Sequence, residues 1–107
     1  MRYLMTTRPS DNAPDEMLYV EMAKFVEELT AAGVLLATGG LEPGGILVSS
    51  AGDEITVTDG PFAEAKEAVA GFALIEVRSK EEAIELARRF RRIVGDGESV
   101  VQEVFGS

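Results

Sequence analysis

Apolar and polar residues along the chain follow two rhythms, and the places where the rhythm changes divide it into elements. Arg2-Tyr3-Leu4-Met5-Thr6-Thr7 favours a strand, and the Pro, Ser, Asp and Asn residues between 9 and 14 turn it into a loop. Pro14 suits a first helical position, and Asp15 and Glu16 sit where a helix dipole favours acids. Leu18, Met22, Phe25, Val26 and Leu29 then recur at threes and fours, with Glu21, Lys24, Glu27 and Glu28 opposite them. This predicts a helix to about Ala32, stopped by Gly33. Val34 to Thr38 is a second strand, Gly39-Gly40 and Pro43-Gly44-Gly45 are turns, and Ile46–Ser49 and Glu54–Thr58 predict a hairpin around Ala51-Gly52-Asp53. One or two helical turns are expected in Phe62 to Val69, and a strand over Gly71 to Val77. Ser79 and Glu82 form a capping box for a helix to about Val94, whose apolar side carries Ala83, Leu86, Ala87, Phe90 and Val94. Its acids come early and its arginines late, which complements the dipole, and Ser99 to Phe105 is the last strand.

The order is β-α-β, a hairpin, then β-α-β. Two split βαβ halves of this kind predict an α+β, ferredoxin-like sandwich with an inserted hairpin, its helices on one face of an antiparallel sheet. Residues 1–107 make one domain, because a chain of this length has room for one core. The strands are apolar on both sides. Ala73, Ile75 and Val77 form one face and Phe72, Leu74 and Glu76 the other, while Leu35 and Ala37 alternate with Val34 and Leu36. A sheet with one wet face alternates apolar with polar, so the second face is expected to be covered, most simply by another copy in a homodimer.

Composition narrows the chemistry. Nineteen acidic against ten basic residues leave a net charge of −9, which speaks against nucleic acid as a partner. His, Cys and Trp are absent, which removes disulfides, thiol nucleophiles, histidine bases and the usual zinc sites. No metal and no cofactor are expected. The Gly39-Gly40 and Gly44-Gly45 pairs lack the spacing of a phosphate-binding loop, and no acidic run has the pattern of a calcium loop. No apolar run approaches a membrane span or a signal peptide core, so the expectation is a cytoplasmic protein without membrane contact.

Polar function is densest in Thr58-Asp59-Gly60-Pro61-Phe62-Ala63-Glu64-Ala65-Lys66-Glu67. Asp59-Gly60 is first a turn pair, and Pro61 fixes a backbone angle. The functional alternative places Asp59 and Lys66 beside an apolar pocket as catalytic groups, with Phe62 anchoring the loop and contacting ligand. Tyr3 and Glu76 are further ligand-binding candidates, each with a structural alternative: a core or interface tyrosine, and a carboxylate paired at an edge or interface. The arginines at 88, 89, 91 and 92 complement the dipole of their helix and need no ligand to explain them.

The run Val57 to Glu67, with Glu28-Leu29 and Ala32-Gly33-Val34-Leu35 before it and Gly71 to Val77 after it, resembles the DGPF-domain branch of the YCII-related family. The resemblance extends from Phe25 to Phe90 and implies a ferredoxin-like fold of the dimeric α/β-barrel kind. Relatives in the wider group include small-molecule lyases and dehalogenating enzymes that use a His–Asp pair, and this chain has no His to supply one. Ala65 stands where the branch commonly has Thr, and Ala73 where it commonly has an aromatic residue, often Tyr; the loss of those polar groups either weakens an enzymatic reading or widens the pocket. The branch is also associated with extracytoplasmic-function sigma factors. Two expectations follow. One is a small-molecule-binding protein or cofactor-free proton-transfer enzyme, isomerase- or lyase-like, of unknown substrate. The other is a non-catalytic dimeric accessory or regulatory protein.

Overall fold

Four antiparallel strands form a sheet backed by two helices. The computed structural model describes residues 1–8, 16–42, 44–59 and 69–106. Its elements are β1 (Arg2–Thr7), α1 (Glu16–Ala31), β2 (Leu35–Gly40), β3 (Ile46–Ala51), β4 (Glu54–Asp59), β5 (Gly71–Glu76), α2 (Lys80–Val94) and β6 (Ser99–Glu103). β5 runs antiparallel to β1 and to β2, and β6 antiparallel to β1. Each helix therefore crosses over one intervening strand, which is the split βαβ arrangement that the element order predicts. β3 and β4 pair only with each other, as a separate two-stranded hairpin.

Local signals set the helix ends. Gly33, at φ +74°, takes the left-handed position after α1; its N–H donates to the Thr30 carbonyl and the Val34 N–H to the Leu29 carbonyl. At α2, the Ser79 hydroxyl accepts from the Glu82 N–H at 3.1 Å. The reciprocal half of the expected box differs, since the Glu82 carboxylate accepts from the N–H of Arg78, one residue earlier, at 3.3 Å. Asp15 and Pro14 lie outside the described residues, as does the helical segment expected before Val69.

The core lies between sheet and helices. Tyr3, Phe25, Leu29, Ile75, Val77, Ala83 and Leu86 make one buried cluster. Cross-strand pairing aligns Tyr3 with Ile75 and Met5 with Ala73 on the helix-covered face, and Leu4 with Leu74 and Thr6 with Phe72 on the other. The double-sided apolarity of β5 is therefore real. In β2 the strict alternation fails. A bulge between Leu35 and Ala37 leaves Leu35 paired with Ile75 on the covered face but Ala37 with Leu74 on the open one. The expectation that Leu35 and Ala37 share a face is corrected by this one extra residue.

Ile75 is 2% exposed at the centre of the cluster. Ile75→Ala should cost about 2–5 kcal/mol, and Ser79→Ala, which removes only the cap, about 1 kcal/mol. Urea unfolding of the two variants checks this; equal losses would contradict the ranking.

Candidate functional site

The covered face of β5 shrinks along its length. Ile75, with Val77 just beyond the strand, fills the core at one end, whereas Ala73 and then Gly71 present little or no side chain at the other. A cavity of about 250 Å³ results, with Met5, Ala73 and Ile75 on the sheet side and Met22, Phe25 and Phe90 on the helix side. Ala70, Gly71, Thr7, Thr38 and Gly39 line the end where β1, β2 and β5 meet the loops. Backbone hydrogen bonds brace this rim: Ala70 N–H donates to Thr7 O at 2.7 Å, and Leu41 N–H to Ala70 O at 2.9 Å.

Thr38 reaches the cavity through the bulge. With unbroken alternation after Leu35 it would point to the open face; the extra residue returns it to the covered face opposite Ala73. Its hydroxyl donates to the Phe72 carbonyl at 2.8 Å, and the Thr7 hydroxyl lies 3.2 Å from that of Ser99. Among the described lining residues none is ionisable, so this wall recognises shape and apolar surface.

The two helices that roof the cavity are tied together outside it. The Arg89 guanidinium reaches both Glu28 carboxylate oxygens, at 2.8 and 2.9 Å, and lies over the Phe25 ring at 4.9 Å. Phe25 thus has one side in the cavity wall and the other under a cation. The hydrogen bond from Arg89 is the main reason the Glu28 carboxyl titrates below the ordinary carboxylate value; desolvation opposes it and the arginine charge adds to it. Arg89 is raised for the reciprocal reason.

Of the residues singled out in the sequence, the described ones, Tyr3, Asp59 and Glu76, are not among the residues lining this cavity. Asp59 is the exposed last residue of β4, paired with Ile46 in the hairpin. Phe62 and Lys66 lie outside the described residues. Tyr3 is in the buried cluster, 5% exposed, and its hydroxyl is held in the neutral form chiefly by desolvation and secondly by the charges of Glu103 and Glu81. Glu76 is on the open face at the far end of β5 and pairs with Arg2 at 3.2 Å. Met22, Phe25, Thr38 and Phe90 were not singled out as site residues. The descending side-chain size along β5 was a visible signal of the cavity, but the bulge that redirects Thr38 leaves no mark in the alternation.

The fold and the family agree. The model of the YCII-related domain matches residues 1–105, and the chain belongs to that family. An uncharacterised protein of Rhizobium meliloti is 39% identical over 77 residues, which are 69% of this chain and 61% of that protein, so the match spans about three-fifths of the relative's length. Among solved structures, the 5-chloro-2-hydroxyhydroquinone dehydrochlorinase of Burkholderia phenoliruptrix, in complex with 2,5-dihydroxybenzoquinone, superposes with a TM-score of 0.54. It covers all of this chain and 96% of its own at 14% identity, a likeness of fold.

Because the folded Glu28 value lies below the unfolded one, the contribution of the pair is present above the ordinary carboxylate range and lost as pH falls through the folded value. The melting temperatures of wild type and Glu28→Gln should differ slightly at neutral pH and converge in acid. A gap that widens in acid would contradict the assignment.

Proposed function

We propose that the protein binds a small ring compound in the cavity between sheet and helices and handles a proton on it without a cofactor. The observation that carries this is the cavity itself: a preformed, apolar space of about 250 Å³, larger than an engineered cavity of about 150 Å³ that takes up benzene. The dehydrochlorinase that shares the fold is bound to a dihydroxylated ring, which supports the same ligand class here. The chemistry proposed is isomerisation or elimination, in which a carbon acid loses a proton to a base and no redox partner is needed.

The proton-handling groups in this reading are Asp59 and Lys66, in the segment whose sequence resembles the DGPF branch. That segment rejoins the described structure at Val69, next to Ala70 of the cavity rim. Lys66 is three peptide units from Val69, a span of at most about 11 Å. Phe62 belongs to the same loop as the proposed ligand-contacting aromatic. Tyr3 supports the floor from the core behind Ile75, and Glu76 works on the open face as a partner of Arg2. The protein acts as a homodimer whose second copy covers Phe72 and Leu74. Among the described residues no helix is long and apolar enough to cross a membrane.

Ala73→Leu fills the cavity with a side chain that the covered face tolerates. A thermal-shift series with 2,5-dihydroxybenzoquinone and related hydroquinones should raise the melting temperature of wild type and leave that of Ala73→Leu unmoved. An equal rise in both would place binding elsewhere. Exchange of deuterium from D2O into a carbon–hydrogen bond of the bound ring, followed by NMR, tests the proton step. Asp59→Asn or Lys66→Met should slow it by at least about 100-fold while binding persists; unchanged exchange in both variants would remove these residues from the chemistry.

A further inference from the structure

Thr7 stands on the covered face of β1, at the loop end of the cavity wall. Of the hydroxyls among the described lining residues, that of Thr38 is spent on the Phe72 carbonyl. That of Thr7 pairs with another hydroxyl: its Oγ1 lies 3.2 Å from Oγ of Ser99, its register partner on β6. Ser99 in turn accepts from Nη1 of Arg91, also at 3.2 Å. A chain of hydrogen bonds thus runs from the cavity wall, across the edge of the sheet, to a guanidinium on α2.

The guanidinium end is firmly held. Nη2 of Arg91 donates at 2.8 Å to the carbonyl of Gly95, the residue whose N–H caps α2 on the Arg91 carbonyl. A Cβ at Gly97 would collide with the same guanidinium, so the turn into β6 closes against it. Arg2, Arg8, Arg88, Arg89 and Arg92 pair with carboxylates, whereas Arg91 is half-buried and donates to these neutral oxygens. A guanidinium has no acceptor, so Ser99 receives its N–H. With a cation on one lone pair, the Ser99 hydroxyl is polarised toward donating, and the Thr7 oxygen is the partner within reach. Thr7 is then the accepting member of the pair, and its own proton is left for an acceptor in the cavity that it lines.

We propose that Thr7 is the specificity-determining hydrogen-bond donor of the cavity, and that Arg91, acting through Ser99, is the positioning residue that fixes it in that sense. The inference rests on the ring-binding reading above and adds the substrate class: a ring whose carbonyl oxygen neighbours the carbon that loses its proton. When the base takes that proton, the electron pair of the broken C–H bond shifts into the ring and the carbonyl becomes an enolate. Thr7 keeps its own proton throughout, and its hydrogen bond strengthens onto the growing negative charge. The Arg91 charge lies two hydrogen bonds behind it and favours the same change. A hydrocarbon ring fills the same space and leaves the Thr7 hydroxyl without an acceptor.

Acetophenone and α-methylstyrene share a shape and differ by C=O against C=CH2, so the pair reads the donor alone. Both are titrated calorimetrically into wild type, Thr7→Val, Ser99→Ala and Arg91→Gln, and loss of both in Ala73→Leu places them in the cavity. Thr7→Val should lower the ratio of ketone to hydrocarbon affinity by about 10-fold. The ratio is taken within each variant, so a general change in the fold or cavity cancels. The infrared carbonyl stretch of bound, carbonyl-labelled acetophenone should lie below its value in hexane in wild type and return to that value in Thr7→Val. In Ser99→Ala and Arg91→Gln, which touch no ligand, it should move part of the way; a shift in Thr7→Val with none in these two overturns the positioning role of Arg91. If both compounds bind and neither the ratio nor the stretch changes in Thr7→Val, the donor is overturned while the cavity reading stands. If neither compound binds wild type, the cavity reading and this inference fall together.

Discussion

The covered face of β5 decides where this molecule is solid and where it is hollow. Ile75, Ala73 and Gly71 lie in a row on one side of one strand, and their side chains shrink in that order. β1 and β2 hold the strand in register from both edges, so the row cannot slide to even out its volume. At the large end Tyr3, Leu29, Ala83 and Leu86 close around Ile75. At the small end the helices are still held over the sheet by that core and by the Arg89–Glu28 tie, and the space beneath Phe25 and Phe90 stays open. The packed core and the open space thus lie at opposite ends of one strand. The core end holds the roof that the cavity end needs.

Much of this architecture is legible in the sequence because its signals are local. Gly33 after a periodic run, Ser79 three residues before Glu82, and the acid-to-base order along α2 each report a helix end by chemistry that depends on few distant contacts. The hairpin is equally plain from Ala51-Gly52-Asp53. The two faces of β5 follow from a period of two. What alternation cannot report is an interruption of itself. The bulge after Leu35 is made by pairing with β5, and it moves Ala37 to the open face and Thr38 into the cavity. The cavity is harder still, because it is a shortage of volume shared among five elements. In the sequence Ala73 stands out as a small residue at a position where the DGPF branch, which the chain resembles, commonly has an aromatic one.

The candidate residues divide along the same physical line. Those picked for their chemistry, Asp59 and Glu76, are carboxylates on exposed strand ends, where a charged group is at ease. Those that shape the site, Met22, Phe25, Ala73 and Phe90, carry no distinctive chemistry and are recognised only by sharing a wall. An apolar cavity of this kind selects by size, and reactivity must come from polar groups brought to its rim. Its edge is formed by Thr7, Thr38 and the backbone of Ala70, braced by hydrogen bonds from Ala70 to Thr7 and from Leu41 to Ala70.

The central claim is that the taper of β5 leaves a space a guest can enter. Crystals of the protein under xenon pressure test it without reference to any substrate, because xenon occupies dry apolar cavities. The account predicts a single strong xenon peak between Phe25, Ala73 and Phe90 in wild type, and its loss in Ala73→Leu with the backbone unchanged. A wild-type crystal with no xenon at that position, or a peak that persists unaltered in Ala73→Leu, would contradict it.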